Sequence, residues 1–172
     1  MTYQELINQI LQLEEEGLEI FNVGKSTLGK NILATHVGEY SKRISRFAEL
    51  KIIELKEHVS QSNNNADIQK NLLKDAEEIK KYLKGYVFCL DIQGKMLSSE
   101  EFSKKIEKIS LTNSEITFVI GASNGLDKTI KNLSNEKLSF SLFTFPHQLM
   151  RVIFLEQLYR AFTILNNIAY HK

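Results

Sequence analysis

Cysteine and proline are almost missing: a chain of 172 residues carries one of each, Cys89 and Pro146. A lone cysteine excludes an internal disulfide framework and fits a reducing compartment. Its place in the apolar run Tyr86–Leu90 makes it a small core residue rather than a nucleophile. Long apolar spans and a basic leader are lacking too, so the expected protein is cytosolic, with no membrane partner. Charge of one sign is also lacking. A formal net charge of +1 gives no overall instruction toward nucleic acid, although a binder of nucleic acid can be basic locally. There is no internal repeat, and four histidines with one cysteine fall into no metal-ligand spacing. The expected metal set is none.

What is present is an ordinary globular composition, 42% hydrophobic and 25% charged, in a length that suits one domain with a sizeable core. Met1–Glu16 places Leu6, Ile7, Ile10, Leu11 and Leu13 among polar residues, which predicts an amphipathic helix closed by Gly17. Leu18–Val23 reads as a strand leading into Gly24-Lys25-Ser26. A phosphate-loop reading of that triplet fails because its first glycine would fall on Glu19.

Glu39–Phe47 reads as the end of a helix whose basic side holds Lys42, Arg43 and Arg46, a solvated face or an RNA-backbone contact. Leu50–Leu55 reads as a strand, and Glu57–Ala66 as a polar loop with His58 exposed. Asp67 is the expected cap of a helix running to about Lys84, ended by Gly85. The unbroken apolar run Tyr86–Leu90 marks a central strand covered on both faces. Asp91–Lys95 is expected to turn away from it, with Ser98 or Ser99 capping a helix over Glu100–Ile109. Ile116–Ile120 repeats the buried-strand pattern and ends in Gly121-Ala122-Ser123-Asn124-Gly125. Glycines at the carboxyl end of a parallel strand let a ligand approach main chain, where open α/β sheets bind cofactors. A short helix over Asp127–Leu133 follows.

The stretch Leu138–Phe162 organises the rest. Pro146 cannot donate a ladder hydrogen bond, so the strand-like Leu138–Phe145 must stop there. Beyond it Leu149, Val152, Ile153, Leu155, Leu158, Tyr159 and Phe162 recur at helical steps, with Arg151, Glu156 and Arg160 largely between them. Read as residues alone, the chemistry is open. Asp91 and Glu156 are candidate carboxylates that no spacing rule pairs, and Ser141 with His147 lacks an orienting acid.

The segments T-F-P-H-Q-L-M-R-V (Thr144–Val152), E-Q-L-Y-R-A-F (Glu156–Phe162) and Y-H-K (Tyr170–Lys172) resemble the bacterial rRNA large subunit methyltransferase H family. So do L-D-I-Q-G-K-M-L-S-S-E-E-F (Leu90–Phe102) and F-V-I-G-A-S-N-G-L (Phe118–Leu126). The resemblance covers about Glu39–Lys172. It implies a SPOUT-type α/β knot: a mostly parallel sheet with helices on both faces, a deep trefoil knot near the C-terminus, and here an extra N-terminal helix. It implies N3-methylation of a pseudouridine in 23S rRNA within the ribosome, with S-adenosylmethionine as cofactor, by a homodimer. The implied donor-binding residues are Leu90, Gly121, Phe140, Ser141, Leu142, Phe143, Thr144 and Phe145. His147, Arg151, Tyr170 and His171 are the implied catalytic set, with Arg160 a further substrate-side candidate. The family's usual Gly-Gly is Gly121-Ala122 here, and the added methyl would crowd the donor loop if that position needs positive φ.

The leading segment departs from the family, which gives an expected division into an atypical 1–38, packed on the same domain, and a methyltransferase domain 39–172. Tyr3–Gly38 is also similar to an N-terminal piece of zinc carboxypeptidases, and His36-Val37-Gly38-Glu39 has the H-x-x-E form. That family places its zinc pair later and needs another distant histidine, so the zinc reading is set aside. The competing classes are an RNA methyltransferase, a knotted cofactor- or RNA-binding protein impaired by its altered start, and a peptidase-derived module.

Overall fold

The computed structural model describes residues 17–24, 35–58, 64–122 and 124–171. The expected helix over Met1–Glu16 lies outside them. Five strands, β1 (Gly17–Gly24), β2 (Glu49–Lys56), β3 (Tyr86–Met96), β4 (Glu115–Ile120) and β5 (Glu136–Ser139), form one sheet in the order β2-β1-β4-β3-β5. The described helices are α1 (Thr35–Ile44), α2 (Asn65–Lys80), α3 (Ser99–Ser110), α4 (Lys128–Leu133) and α5 (His147–Leu165). β3 pairs in parallel with β4 and β5, whereas β1 is antiparallel to both β2 and β4. Hence β2, β3, β4 and β5 point one way, and β1 alone runs against them.

The two-residue period of a strand divides the core. Phe88 and Phe118, opposite each other in register, stack at 5.1 Å, and Phe154 of α5 sits 4.8 Å from Phe118. On that face they join Ile44 of α1, Phe102 and Ile106 of α3, and Leu155, Leu158 and Ala161 of α5. Val87, Cys89 and Val119 face the other way, onto Ala76 and Ile79 of α2 and Ile130 of α4. Helices therefore cover both faces. Burying each such phenylalanine contributes about 1.5–3 kcal/mol, and each aromatic pair adds roughly 0.5–1.5. Cys89 is fully buried, as its apolar run predicts.

Local chemistry sets the boundaries. Ser98 caps α3 in a reciprocal box with Glu101, and Asp127 caps α4 through Thr129 N–H at 2.7 Å. The cap of α2 is Asn64, accepting from Ala66 N–H at 3.1 Å, rather than Asp67. An asparagine carbonyl three residues earlier satisfies the free amides first, and Asp67 falls in the first turn. His58 is exposed as expected, yet its backbone N–H and its Nδ1–H both reach the buried Asp75 carboxylate, at 3.1 and 2.6 Å.

Two expectations fail around the last strands. β3 does not turn away at Asp91 but runs to Met96, and β5 ends at Ser139 instead of continuing to Phe145. The reason is a double pairing: Leu138 is partner to Leu90 and again to Lys95, leaving residues 91–94 as an excursion from the ladder. Strand β5 meets β3 on both sides of that excursion. Beyond it, Ser139 Oγ donates to Ser141 O and Ser141 Oγ accepts from Phe143 N–H, so side-chain bends replace the ladder. Pro146 ends this segment as the cap residue of α5, without a side-chain cap bond.

Gly94 is where the passage is closest. A Cβ there would stand 2.6 Å from Lys137 C and 2.7 Å from Leu138 N and C, all main-chain atoms that cannot swing aside. Gly94→Ala should therefore destabilise by about 1–3 kcal/mol through overpacking. Urea denaturation followed by circular dichroism checks this; a variant of unchanged stability would mean that β5 does not pass so close.

Candidate functional site

The chain reverses direction across the sheet at β3 and β4. From β3 it crosses through α3 on one face to β4, and from β4 through α4 on the opposite face to β5. The carboxyl ends of such a pair open a crevice, the usual ligand position in α/β sheets. Register brings the expected donor residues to it. Leu90 pairs with Leu138 and lies one step beyond the Cys89–Val119 pair, level with the end of β4 and hence with Gly121. Phe140–Phe145 leave β5 beside them.

Gly121 does not have the surroundings the sequence suggests. An added Cβ would meet Gly125 C at 2.7 Å and Gly125 O at 2.8 Å, so its glycine is needed for the loop's own closure, not for open ligand space. Positive φ falls on Gly125, at 76°, with nothing within 4 Å of an added Cβ. Ala122 has no positive φ; it bridges to Gly125, and its methyl packs with the α2–α4 core. Its departure from Gly-Gly is thus accommodated. Leu142 and Phe143 are 76% and 78% exposed, while Phe140 is committed to the core, edge-on to Phe154 at 6.4 Å.

His147 opens α5 without capping it. Its Nδ1–H donates to Gly121 O at 3.0 Å, tying the head of α5 to the β4 loop. Arg151, one turn on and only 9% exposed, donates to Glu54 of β2 at 2.6 Å. These two stand at one end of α5. Tyr170 and His171 stand at the other.

There Glu156 accepts from Arg160 Nε at 3.0 Å and from the Tyr170 hydroxyl at 3.1 Å, and the Arg160 guanidinium lies 5.0 Å from the Tyr170 ring centre. Tyr170 packs edge-on against Tyr159 at 4.9 Å. Arg160 Nη1–H donates to His171 Nδ1 at 3.2 Å, and His171 Nε2–H donates to Glu100 Oε1 at 2.7 Å. An arginine cannot accept, so in this contact Nδ1 is the acceptor and Nε2 the donor. Burial first, then Tyr40 and the Glu156 carboxylate, push the Tyr170 phenol well up, which makes it a neutral donor and no base. His147 and Arg160 are thirteen residues apart on α5, roughly 20 Å along the axis. Within one chain the four expected catalytic residues form two groups.

Sequence reasoning missed the pinning of the tail. Tyr170–Lys172 reads as a polar end, but Glu156 and Arg160 at i, i+4 on the exposed side of α5 were the available signal. The two candidate carboxylates also have separate tasks: Glu156 holds the tail, while Asp91 pairs with Lys131 at 2.7 Å. Glu39 of the H-x-x-E segment accepts from Arg43 Nε at 2.8 Å. Among the described residues no group of three or more His, Cys, Asp or Glu is placed to hold a metal ion.

A doubly crossed α/β sheet with its loops gathered at the β3, β4 and β5 ends is the setting in which the comparison with known families falls. The family model described as “Predicted SPOUT methyltransferase” matches residues 17–171, and the chain belongs to that family of methyltransferases. Particular relatives narrow it. The chain is 50% identical over 137 residues to the ribosomal RNA large subunit methyltransferase H of Fusobacterium nucleatum subsp. nucleatum, covering 79% of this chain and 88% of that protein. It is 44% identical over 160 residues to the protein of that name from Finegoldia magna, and 46% over 160 residues to that from Clostridium botulinum strain Langeland; each match covers 90% of this chain and 99% of the relative. Among the described residues no helix is long and apolar enough to cross a membrane.

The tail network makes a pH prediction. The amide of Glu100 itself at the start of α3, and then His171, hold the Glu100 carboxyl down to about 2 from an ordinary 4.5. A depressed carboxyl contributes stability that is present above 4.5 and lost as pH falls toward 2. An NMR titration of Glu100 should give an apparent pKa near 2, and His171→Ala should raise it without restoring 4.5, because the amide contribution remains. An ordinary value in the unmodified chain would remove His171 from this contact.

Proposed function

We propose that the protein is an S-adenosylmethionine-dependent methyltransferase that N3-methylates a pseudouridine of 23S rRNA within the ribosome, in the cytoplasm. The observation that carries this reading is the convergence of Leu90, where β3 first leaves its ladder, with Gly121 after β4 and Phe140–Phe145 after β5, in a chain similar to methyltransferases named for large-subunit rRNA. The trefoil knot belongs to the same reading, and the pairing of Leu138 with both Leu90 and Lys95 supports it. In the same reading the leading segment 1–38 is packed on the methyltransferase domain, and the place of β1 between β2 and β4 in the one sheet supports that packing.

The site fits a donor with a flat base and a charged end. Leu142, Phe143 and Phe145 are exposed where the chain leaves β5, and Leu142 and Phe143 can cover an adenine. When bound, the donor supplies an electrophilic methyl group. The chain's part is alignment: an imide N3 must lose its proton as the methyl approaches, and fixed proximity supplies much of the rate. His147 holds the donor loop through Gly121, while Arg151 and Arg160, the substrate-side arginines of this reading, are each held by a carboxylate, Glu54 and Glu156.

The separation of His147 from Tyr170 and His171 supports the homodimer. One copy cannot bring its own tail to its own donor loop while Glu156, Arg160 and Glu100 hold the tail, so the tail of a second copy would face that loop. Leu149 and Ile153, only half-buried on α5, leave an apolar surface for the contact.

Calorimetric titration with S-adenosylmethionine and ribosome methylation test this on the full chain and on a variant ending at Ala169. The full chain should bind the donor and transfer its methyl. The shortened chain should lose transfer, keep donor affinity within a few-fold, and lose about 1–2 kcal/mol of stability because Tyr170 is packed rather than frayed. Donor binding without transfer by the full chain would favour the impaired-protein reading, and no donor binding would reject the methyl-donor site.

A further inference from the structure

Asp91 is a carboxylate that neither the core nor the reaction explains. It immediately follows Leu90, where the excursion 91–94 begins, and its side chain is only 5% exposed. One oxygen accepts from Gln93 N–H at 2.9 Å, which shapes the excursion. The other lies 2.7 Å from Lys131 Nζ, on α4. Helix α4 starts at the Asp127 cap, directly after the Gly121–Leu126 loop. The pair thus spans the crevice from behind: one end on the strand that carries Leu90, the other on the helix that carries the Gly121 loop. Burial alone would raise the Asp91 carboxyl, but Lys131 and the Gln93 amide outweigh it and hold it below its ordinary range. It is ionised at neutral pH and is no proton acceptor for the reaction.

We propose that Asp91 and Lys131 are positioning residues for the methyl donor: their ion pair sets the separation of Leu90 from the Gly121 loop, between which the donor lies. The proposal rests on the donor-site reading above and assigns these residues no part in the chemical step. A rigid brace is required at this place because the ladder is interrupted. Past Leu90 the β3 main chain has left β5 until Lys95, and past Ile120 β4 has ended, so no regular hydrogen bonding holds the two ends in register. Among the described contacts of the excursion, the Asp91–Lys131 pair is the one that reaches the helix following the Gly121 loop. A brace of this kind affects affinity for the bound group more than the rate once it is bound, since the substrate-side residues sit elsewhere.

The test uses Asp91→Asn, which keeps the shape and the Gln93 contact, and the double variant Asp91→Asn/Lys131→Met, which leaves no charge uncompensated and so guards against simple unfolding. Lys131→Arg is the conservative control. S-adenosylmethionine affinity is read by calorimetry, the methylation rate of ribosomes at saturating donor is read separately, and thermal melting reports the fold. The expected result is a loss of donor affinity of roughly tenfold or more in the first two variants, with the saturated rate within about threefold and Lys131→Arg close to the unmodified chain. Unchanged affinity in folded variants, even with a lowered melting point, would reduce the pair to a structural role and overturn the proposal. A collapsed saturated rate at unchanged affinity would overturn it too. Failure of the unmodified chain to bind the donor would instead refute the donor-site reading itself.

Discussion

The close passage of β5 over Gly94 is the constraint on which the rest depends. A side chain at 94 would meet the main chain of Lys137 and Leu138, so β3 can be paired on both sides of its excursion only with glycine there. That double pairing fixes where β5 ends, and therefore where Phe140 turns into the core and where Leu142 and Phe143 emerge. It also fixes the start of α5, whose His147 reaches back to Gly121. The site is a consequence of how the last quarter of the chain crosses β3.

A second set of interactions acts at a distance from the first. Glu156, Arg160, Tyr170, His171 and Glu100 form a continuous chain of hydrogen bonds from α5 through the tail to α3. Each exposed contact alone contributes little, but Arg160 serves three partners at once, and the Tyr159–Tyr170 ring contact adds burial. Such a tail is prepared rather than loose. The homodimer we propose would then bring together two preformed halves, with little ordering entropy left to lose on binding.

Much of the fold was legible because the buried strands announce themselves. Tyr86–Leu90 and Ile116–Ile120 are apolar without alternation, as strands covered on both faces must be. The helix after Pro146 was legible, but its buried face was not: Phe154 and Ala161 join Leu155 and Leu158 in the core, and Arg151, expected on the polar face, is buried. What could not be read was set by contacts distant in sequence. Nothing local distinguishes Asp91–Met96 as strand from turn, since its pairing depends on Leu138 and Ser139. Asn64 and Asp67 are both acceptable caps, and only the backbone path selects the first. At the candidate site, the loop after β4 was readable as glycines following a strand, and the family resemblance marked it as an expected donor loop. The cause of Gly121 was not, because Gly125, not a ligand, occupies the space where a side chain would go.

Hydrogen exchange by mass spectrometry, with and without S-adenosylmethionine, tests most directly the proposed binding of a methyl donor between Leu90, the loop after β4 and the segment after β5. Slowed exchange is expected only in the amides around Leu90, Gly121–Leu126 and Phe140–Phe145, with the amides of α2 unaffected. Protection centred on α1 or on the far side of the sheet, with those three segments unchanged, would contradict it.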